Sequence, residues 1–304
     1  MALTIRSDLV FCFDRRFGLV FALTSQCTSV KGAGTVDGPH GLRVTTRAFG
    51  LKGPRGWAFR EVSFDAEPGS LIAVEGPSGS GRTCLLLALT GRMKATEGSA
   101  TVGGWSLPKQ SAAVRRVSAL AHVPGVTDLD PALTVGEHLR ERALLERRFG
   151  GSLRGLLRPR AQRAAGTERR VDAALTAAGL DPESLPKGLR TAVRDLERLE
   201  ALRLSVALAL IGGPLLLGVD DTDLKLSDAE RAEVWALLRS LAEAGTTVVA
   251  VCSEAPEGAV TVSASPRADD TAETETAETT AETTNTQETH EKETVDALPE
   301  TGRA

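Results

Sequence analysis

A glycine-rich turn between two apolar runs is the place in this sequence where residue types and spacing first suggest chemistry. The turn consists of Gly76, Pro77, Ser78, Gly79, Ser80, Gly81, Arg82 and Thr83. It fits the pattern G-x-x-x-x-G-K-[ST] except at the lysine. Residues 71–74 predict a buried parallel strand and residues 83–89 predict a helix. Since backbone N–H groups and a helix N-terminus converge on an anion at such a junction, the turn is predicted to bind phosphate.

The residue types within the turn suit a nucleotide with a divalent cation. Gly76, Gly79 and Gly81 permit positive φ angles and close approach of a phosphate. The hydroxyl of Thr83 is placed to ligate Mg²⁺. Arg82 keeps the positive charge of a lysine, but its guanidinium is planar and forked, so the contact with the β- and γ-phosphates must be rebuilt. The alternative is an ordinary glycine-rich turn between a strand and a helix.

Two adjacent carboxylates follow a second apolar run. Residues 214–219, PLLLGV, predict a strand, and Asp220 and Asp221 come directly after it. An acidic residue at the carboxyl end of a parallel strand can hold Mg²⁺ through water beside a phosphate turn. The alternative is a strand that ends in an acidic turn, and the phosphate turn in the same chain counts against it.

On these motifs the chain resembles the ATP-binding subunit of ABC transporters, over about residues 42–263. The segments GLRVTTRAFG and AFREVSFDAEPGSLIAVEGPSG resemble the β-hairpins that open that domain. The resemblance implies ATP and Mg²⁺ as cofactors, with Thr83 and Asp220 at the metal and Asp221 in place of the glutamate that polarises the attacking water. It also implies an aromatic residue that stacks on adenine. Phe49 lies at that place, with a core position as its alternative and Trp57 as the second candidate.

Several positions depart from the family pattern, and all of them point to weaker hydrolysis. Asp221 is one methylene shorter than glutamate, and a misplacement of about 1 Å can cost on the order of a hundredfold in rate. Residues 196–200, LERLE, stand at the LSGGQ signature and bring Glu197 and Glu200 toward the γ-phosphate of a partner subunit's ATP. Three further substitutions fall at the positions of the switch histidine, a glutamine and an aspartate; these are Ser253, Gly125 and Ser227. We therefore expect a degenerate nucleotide-binding domain.

The resemblance implies partners and a location as well. It implies a membrane permease on a separate chain and a second ATP-binding subunit, either another copy of this chain or a different one. A cytoplasmic location at the inner face of the cell membrane follows from these partners. The second hypothesis is a regulatory or scaffolding ATP-binding protein that does not hydrolyse ATP. A role on nucleic acid is disfavoured by the single cassette and an acidic tail, and no nucleic-acid partner is expected.

Composition and the resemblance together divide the 304 residues into three regions, of which the middle one takes its architecture from the resemblance. Residues 1–40 are predicted to form an irregular extension. Residues 41–264 are predicted to form an α/β domain: a P-loop NTPase core of the ABC ATPase type, with an N-terminal antiparallel β-subdomain and a helical subdomain inserted at about 126–205. Residues 265–304 are rich in Thr, Glu and Ala and carry eleven acidic against three basic residues, a net charge of −8. With almost no apolar residues this tail is predicted to be disordered.

The cysteines and histidines predict no metal site. Their spacing shows neither a CxxC motif nor a cysteine–histidine cluster. Cys84 and Cys252 fall in predicted buried elements and are expected to be core residues. The four histidines, His40, His122, His138 and His290, are scattered, and surface or capping roles are expected for them.

Overall fold

The computed structural model describes residues 41–54, 56–149 and 160–264, so the predicted 1–40 extension and 265–304 tail lie outside the described residues.

The N-terminal part of the domain forms an antiparallel sheet. The sheet has the strand order β2-β1-β4-β5. Its strands are β1 (Val44–Gly53), β2 (Gly56–Ala66), β4 (Glu97–Val102) and β5 (Trp105–Leu107). This sheet is the β-subdomain that the sequence predicts.

A parallel sheet carries both sequence motifs. Its strand order is β6-β7-β8-β3-β9. Its strands are β3 (Leu71–Glu75), β6 (Ser118–Ala121), β7 (Leu216–Val219), β8 (Thr247–Cys252) and β9 (Val260–Ser263). Strands β6, β7 and β8 are buried along their whole length, which explains their continuous apolar sequences. The glycine-rich turn follows β3 and the carboxylate pair follows β7, so both lie at the carboxyl edge of one sheet.

Six α-helices are described. They are α1 (Arg82–Leu89), α2 (Ser111–Val117), α3 (Val135–Phe149), α4 (Arg160–Ala177), α5 (Arg198–Leu210) and α6 (Asp228–Glu243). Helices α3, α4 and α5 follow one another between β6 and β7, as the predicted helical insertion requires. Thr134 and Glu137 cap the start of α3, with the Glu137 carboxylate accepting from the Thr134 N–H at 2.8 Å. None of the helices in the described ranges has the length and apolar character needed to cross a membrane.

Two apolar cores pack on the sheets. One joins α5 and α6 to the parallel sheet, and the other joins α1 to both sheets. Gly218 in β7 lies in a closely packed part of the core, because a Cβ there would come within 2.8 Å of Leu120 Cδ2 and 2.9 Å of Leu86 Cδ1. The backbone of β7 at this residue therefore lies close to the Leu86 side chain of α1. The predicted α/β fold is confirmed, and the residue boundaries of its three regions remain predictions.

Candidate functional site

The turn after β3 has the backbone geometry of a phosphate cradle. Gly76, Gly79 and Gly81 have φ angles of 150°, 85° and 80°. Gly81 is the N-cap of α1 in the left-handed conformation, without a side-chain cap. A Cβ at Gly81 would lie 1.8 Å from the carbonyl oxygen of Ala58. The close contact between the turn and β2 thus requires glycine at this position.

The interior of the turn contains hydrogen-bond donors that could bind an anion. Ser80 is buried, and within the described part of the chain its hydroxyl has no hydrogen-bond partner. A buried hydroxyl without a partner costs free energy, and a phosphate oxygen would accept its hydrogen bond. The first N–H groups of α1 also have no partner within their own helix. Residues 76–83 therefore fit a phosphate group.

Thr83 and Asp220 meet across the sheet edge. The Thr83 hydroxyl donates to Asp220 Oδ2 at 2.6 Å, and the Asp221 N–H donates to Asp220 Oδ1 at 2.9 Å. Burial raises the pKa of Asp220, and the hydrogen bond from Thr83 opposes that rise. A hydroxyl and a carboxylate are oxygen ligands that suit Mg²⁺. No cluster of three His, Cys, Asp or Glu residues occurs in the described ranges, so phosphate and water would complete the metal's coordination.

Arg82 is engaged with the neighbouring strand. Its guanidinium Nη1 donates to the carbonyl oxygen of Cys252, the last residue of β8. The next residue, Ser253, is also held, because its N–H donates to Asp223 Oδ2 at 2.6 Å. In addition, the Thr222 hydroxyl donates to the Val251 carbonyl at 2.8 Å. Hydrogen bonds from side chains therefore connect the end of β8 to the phosphate turn and to the loop after β7.

His122 lies at the carboxyl edge of the parallel sheet, beside the carboxylate pair. Ala121 pairs with Val219 in the parallel register, so His122 and Asp220 are the next residues along β6 and β7. His122 has a φ of 47°, and its Nε2 is buried without a hydrogen-bond partner in the described part of the chain. Gly125 lies three residues further on, in an exposed turn. The assignment of Gly125 to the glutamine position stays a prediction, and counting from the end of β6 gives His122 as a second candidate for it.

The surface role expected for His122 does not fit this position. Burial, and after it Arg198, lowers the pKa of His122, while Asp221 and Asp128 act in the opposite direction. These neighbours come from the start of α5 and from the loops after β7 and β6. His122 is therefore a half-buried side chain at the carboxyl edge of the sheet, close to the carboxylate pair, and its environment disfavours the protonated form.

We expect His122→Gln to change how stability depends on pH. Because the folded-state pKa of His122 is depressed, the unfolded chain binds a proton as pH falls below about 6.5, before the folded chain does. Wild-type stability should therefore fall through this range, and the fall should end once the folded-state pKa is passed. Melting temperatures measured from pH 7.5 to 5 should fall more steeply for wild type than for His122→Gln. Parallel curves would contradict the burial of this side chain.

The adenine-stacking role predicted for Phe49 does not fit the structure. The register between β1 and β2 shifts between Thr46 and Phe49, and Ala48 has a φ of 44°. This bulge turns Phe49 into the core, where it is 0% exposed and its ring centroid lies 5.7 Å from that of Phe59. The alternative core position is therefore the observed one.

Trp57 remains the aromatic candidate beside the turn. It is half-buried and directly precedes Ala58, whose carbonyl contacts Gly81. The Arg60 guanidinium lies 4.9 Å and the Lys52 ammonium 5.4 Å from the centroid of its ring. Both cations are within the range of a cation–π interaction.

The start of α5 is closed by its own carboxylates. Glu197 is the N-cap and Glu200 the third helical residue, and their side chains form a reciprocal capping box. The Glu197 N–H donates to Glu200 Oε2 at 2.9 Å. A helix N-terminus binds an anion through such N–H groups. At this helix the Glu197 N–H already has a partner, and that partner is a carboxylate, so two negative charges lie at the helix start.

The two described cysteines are not reactive groups of the site. Cys252 is buried, and burial raises the pKa of its thiol to about 12. Cys84 is half-buried on α1, and burial raises its pKa as well. A thiol that stays protonated is a poor nucleophile and a poor metal ligand.

Known proteins resemble this chain in sequence. The family model described as ABC transporter matches residues 59–223. A Nod factor export ATP-binding protein I of Cupriavidus pinatubonensis is 33% identical over 190 residues, which are 62% of this chain and 52% of that protein. A probable anion import ATP-binding protein of Haloferax volcanii is 27% identical over 212 residues, 68% of this chain and 70% of that protein. The chain thus spans about half the length of the first of these relatives.

Solved structures agree on the fold. CbiO1 from Clostridium perfringens, part of the transporter complex cbiONQ, superposes with a TM-score of 0.55 at 18% identity, over 69% of this chain and 78% of that one. A dimeric ATP-binding cassette bound to ADP and Pi superposes with a TM-score of 0.53 at 21% identity, over 69% and 88%. At these identities the likeness shows the fold alone. Together with the family match it leads to one conclusion: the chain belongs to the ABC transporter family, as one of its ATP-binding domains.

Proposed function

We propose that this chain binds Mg-ATP at residues 76–83 and acts as the ATP-binding subunit of an ABC transporter with weak hydrolysis. The observation that carries the proposal is the 2.6 Å contact between Thr83 and Asp220, because it brings the phosphate turn and the carboxylate pair to one point. The unpartnered hydroxyl of Ser80 supports the same ligand.

Each group has a separate task in this proposal. The amides of the turn and of the start of α1 hold the β- and γ-phosphates. Thr83 and Asp220 would hold Mg²⁺, which, when bound, neutralises charge that develops on the phosphates. Asp221, next in the chain, orients water from a shorter side chain than the family's glutamate. His122 adds an imidazole at the same edge.

Three features of the structure support weak hydrolysis. Arg82 is bonded to the Cys252 carbonyl, so a phosphate must compete with that acceptor for the guanidinium. Ser253 is held through its backbone and carries no imidazole. The carboxylates of Glu197 and Glu200 cap the helix start that would face a partner's γ-phosphate. Preorganised positive groups supply much of the rate in phosphoryl transfer, and here they are diverted or absent.

Coupling to a permease on a separate chain is the second part of the proposal. One relative, from Mycobacterium tuberculosis, is named as an ABC transporter ATP-binding/permease protein and is 32% identical over 190 residues, which are only 20% of its own length. The helices α3 to α5, inserted between β6 and β7, form the surface that we propose for the permease contact. Such a contact places the chain at the cytoplasmic face of the membrane, paired with a second ATP-binding subunit.

Calorimetry of the full chain with Mg-ATP tests the binding site. We expect wild type to bind and Thr83→Val to bind about 10- to 100-fold more weakly, the range for losing a hydrogen bond to a charged group. Thr176→Val is the matched control, because this exposed hydroxyl bonds only within α4, to the Asp172 carbonyl at 2.9 Å. A folded wild type that gives no heat at millimolar Mg-ATP would disprove nucleotide binding.

In the regulatory alternative the chain binds ATP but does not hydrolyse it. The self-capped start of α5 favours it, since that end repels a partner's nucleotide. The two functions differ in one measurement. A transporter subunit should co-purify with a membrane protein, and that protein should stimulate phosphate release, whereas a scaffold should bind ATP equally well with no stimulation.

A further inference from the structure

A cleft of about 800 Å³ runs along the edge strand of the parallel sheet. Strand β6 forms one wall, and α3 and α5 form the other. Leu145 of α3 lines the cleft and is 43% exposed, and Val126 in the loop after β6 lines it and is 53% exposed. The nucleotide site uses the carboxyl edge of the sheet, so most of this cleft has no role in ATP binding.

Several arginines line the cleft near the start of β6. They are Arg92, Arg115, Arg116 and Arg142. Arg92, Arg115 and Arg142 line the same cleft, and burial together with the charges of Arg115 and Arg142 lowers the pKa of Arg92. Their mutual repulsion costs free energy that a bound anion would relieve.

The arginines keep donors available. Arg92 donates to the Thr90 carbonyl at 2.9 Å and to the Ser118 hydroxyl at 2.9 Å, and Arg115 donates to the Gly91 carbonyl at 2.7 Å. All these acceptors are uncharged. Among the described residues no carboxylate lies within ion-pair distance of Arg92, Arg115 or Arg116. Three carboxylates line the cleft: Glu146 is paired with Arg142 at 2.8 Å, Asp128 accepts from the Gly125 N–H at 2.9 Å, and Glu141 lies on α3 without an ion pair to Arg92, Arg115 or Arg116 among the described residues.

We propose that this arginine cluster recognises carboxylates, and that its occupant is the chain's own acidic segment, residues 265–304. That segment carries eleven acidic and three basic residues, while the remainder of the chain carries a net charge of +4. It has almost no apolar side chains, so the contact is electrostatic and the segment binds without forming a core of its own. Covering the cleft would close the edge of β6 to other partners. Because α3 and α5 also belong to the surface proposed for the permease, the segment would compete with the permease for this cleft.

Residues 265–304 are long enough to reach the cleft beside β6. The segment begins one residue after Ala264, which follows β9, and β9 and β6 are the opposite edges of the sheet. Four strand spacings of about 4.8 Å separate these edges, roughly 19 Å in all. Forty residues at up to about 3.3 Å each exceed that distance several times over.

The test measures how fast a glutamate-specific protease cuts residues 273–293 in the full chain, with the isolated segment as the reference substrate. Arg115→Glu with Arg116→Glu should speed this cleavage at low salt roughly three- to tenfold, as expected for the loss of a few exposed ion pairs. Wild type should reach the same rate in 0.5 M salt, roughly where screening removes such contacts. The matched control is Arg169→Glu with Arg170→Glu, two exposed arginines that bond to carbonyls of their own helix α4.

Equal rates for wild type, the cleft variant and the control would overturn the proposal. So would protection that inorganic phosphate leaves unchanged at concentrations that should fill an arginine site. A second measurement does not depend on the arginine variants: deleting residues 265–304 should raise hydrogen exchange in β6, and unchanged exchange there would count equally against the proposal. Neither measurement uses nucleotide or permease, so failure here is distinguishable from failure of the proposed function.

Discussion

Replacing Gly81 with alanine is expected to reduce ATP affinity on the order of a hundredfold. The new Cβ would lie 1.8 Å from the Ala58 carbonyl oxygen, so the turn must move by more than 1 Å away from β2. The left-handed φ of 80° adds strain for a residue with a side chain. A displacement of this size is enough to cost about two orders of magnitude where several groups must converge. Calorimetry with Mg-ATP measures the loss.

Gly79→Ala is the matched control for this change. Gly79 has nearly the same φ, 85°, but a Cβ there meets no atom within 4 Å. It therefore carries the backbone strain, about 1–2 kcal/mol, without the steric clash. Thermal melting should show a small loss of stability for Gly79→Ala and a larger one for Gly81→Ala. Equal losses in the two variants would show that the contact with Ala58 does not position the turn.

Phosphate release by the wild-type chain is expected to be far below 1 per second, and repair of the turn alone should not restore it. Arg82→Lys provides a compact donor for phosphate and removes the guanidinium contact to Cys252. It should tighten ATP binding. Asp221 remains short, Ser253 has no imidazole, and Glu197 and Glu200 still cap α5. Groups that act as a unit give strongly non-additive effects, so one repair changes turnover little.

The comparison is steady-state phosphate release for wild type, Arg82→Lys, and Arg82→Lys combined with Asp221→Glu and Ser253→His. The triple variant should exceed either of the others, and its remaining deficit measures the contribution of residues 196–200. Wild-type turnover at around 1 per second, within the ordinary range of enzymes, would refute the degenerate interpretation.

The parts of the fold that sequence predicts are those fixed by local patterns. The run before Gly76 is apolar and the turn is rich in glycine, so a strand, a turn and a helix follow from residue types alone. The apolar run before Asp220 predicts a strand just as clearly. The joining of these two motifs at one sheet edge follows because parallel strands align their carboxyl ends. The 2.6 Å contact between Thr83 and Asp220 is the outcome of that rule.

The sequence does not predict side-chain positions that depend on strand register or on contacts distant in the chain. Phe49 has the same apolar character whether it faces the core or a nucleotide, and only the bulge at Ala48 decides between them. His122 was assigned a surface or capping role because its local sequence does not show that the end of β6 lies beside the carboxylate pair. The engagement of Arg82 with the Cys252 carbonyl is a contact between residues 170 positions apart, which no local pattern encodes.

Gly218 shows how the proposed metal site can depend on a residue that makes no polar contact with it. A Cβ at this position would press on the ends of Leu120 and of Leu86 in α1, while Thr83 belongs to α1 and Asp220 directly follows β7. A single methyl group at residue 218 would therefore act as a spacer between two proposed ligands that are themselves unchanged. A lineage could lose the proposed metal site through a substitution that leaves every recognisable motif intact, and motif inspection alone would not detect that loss.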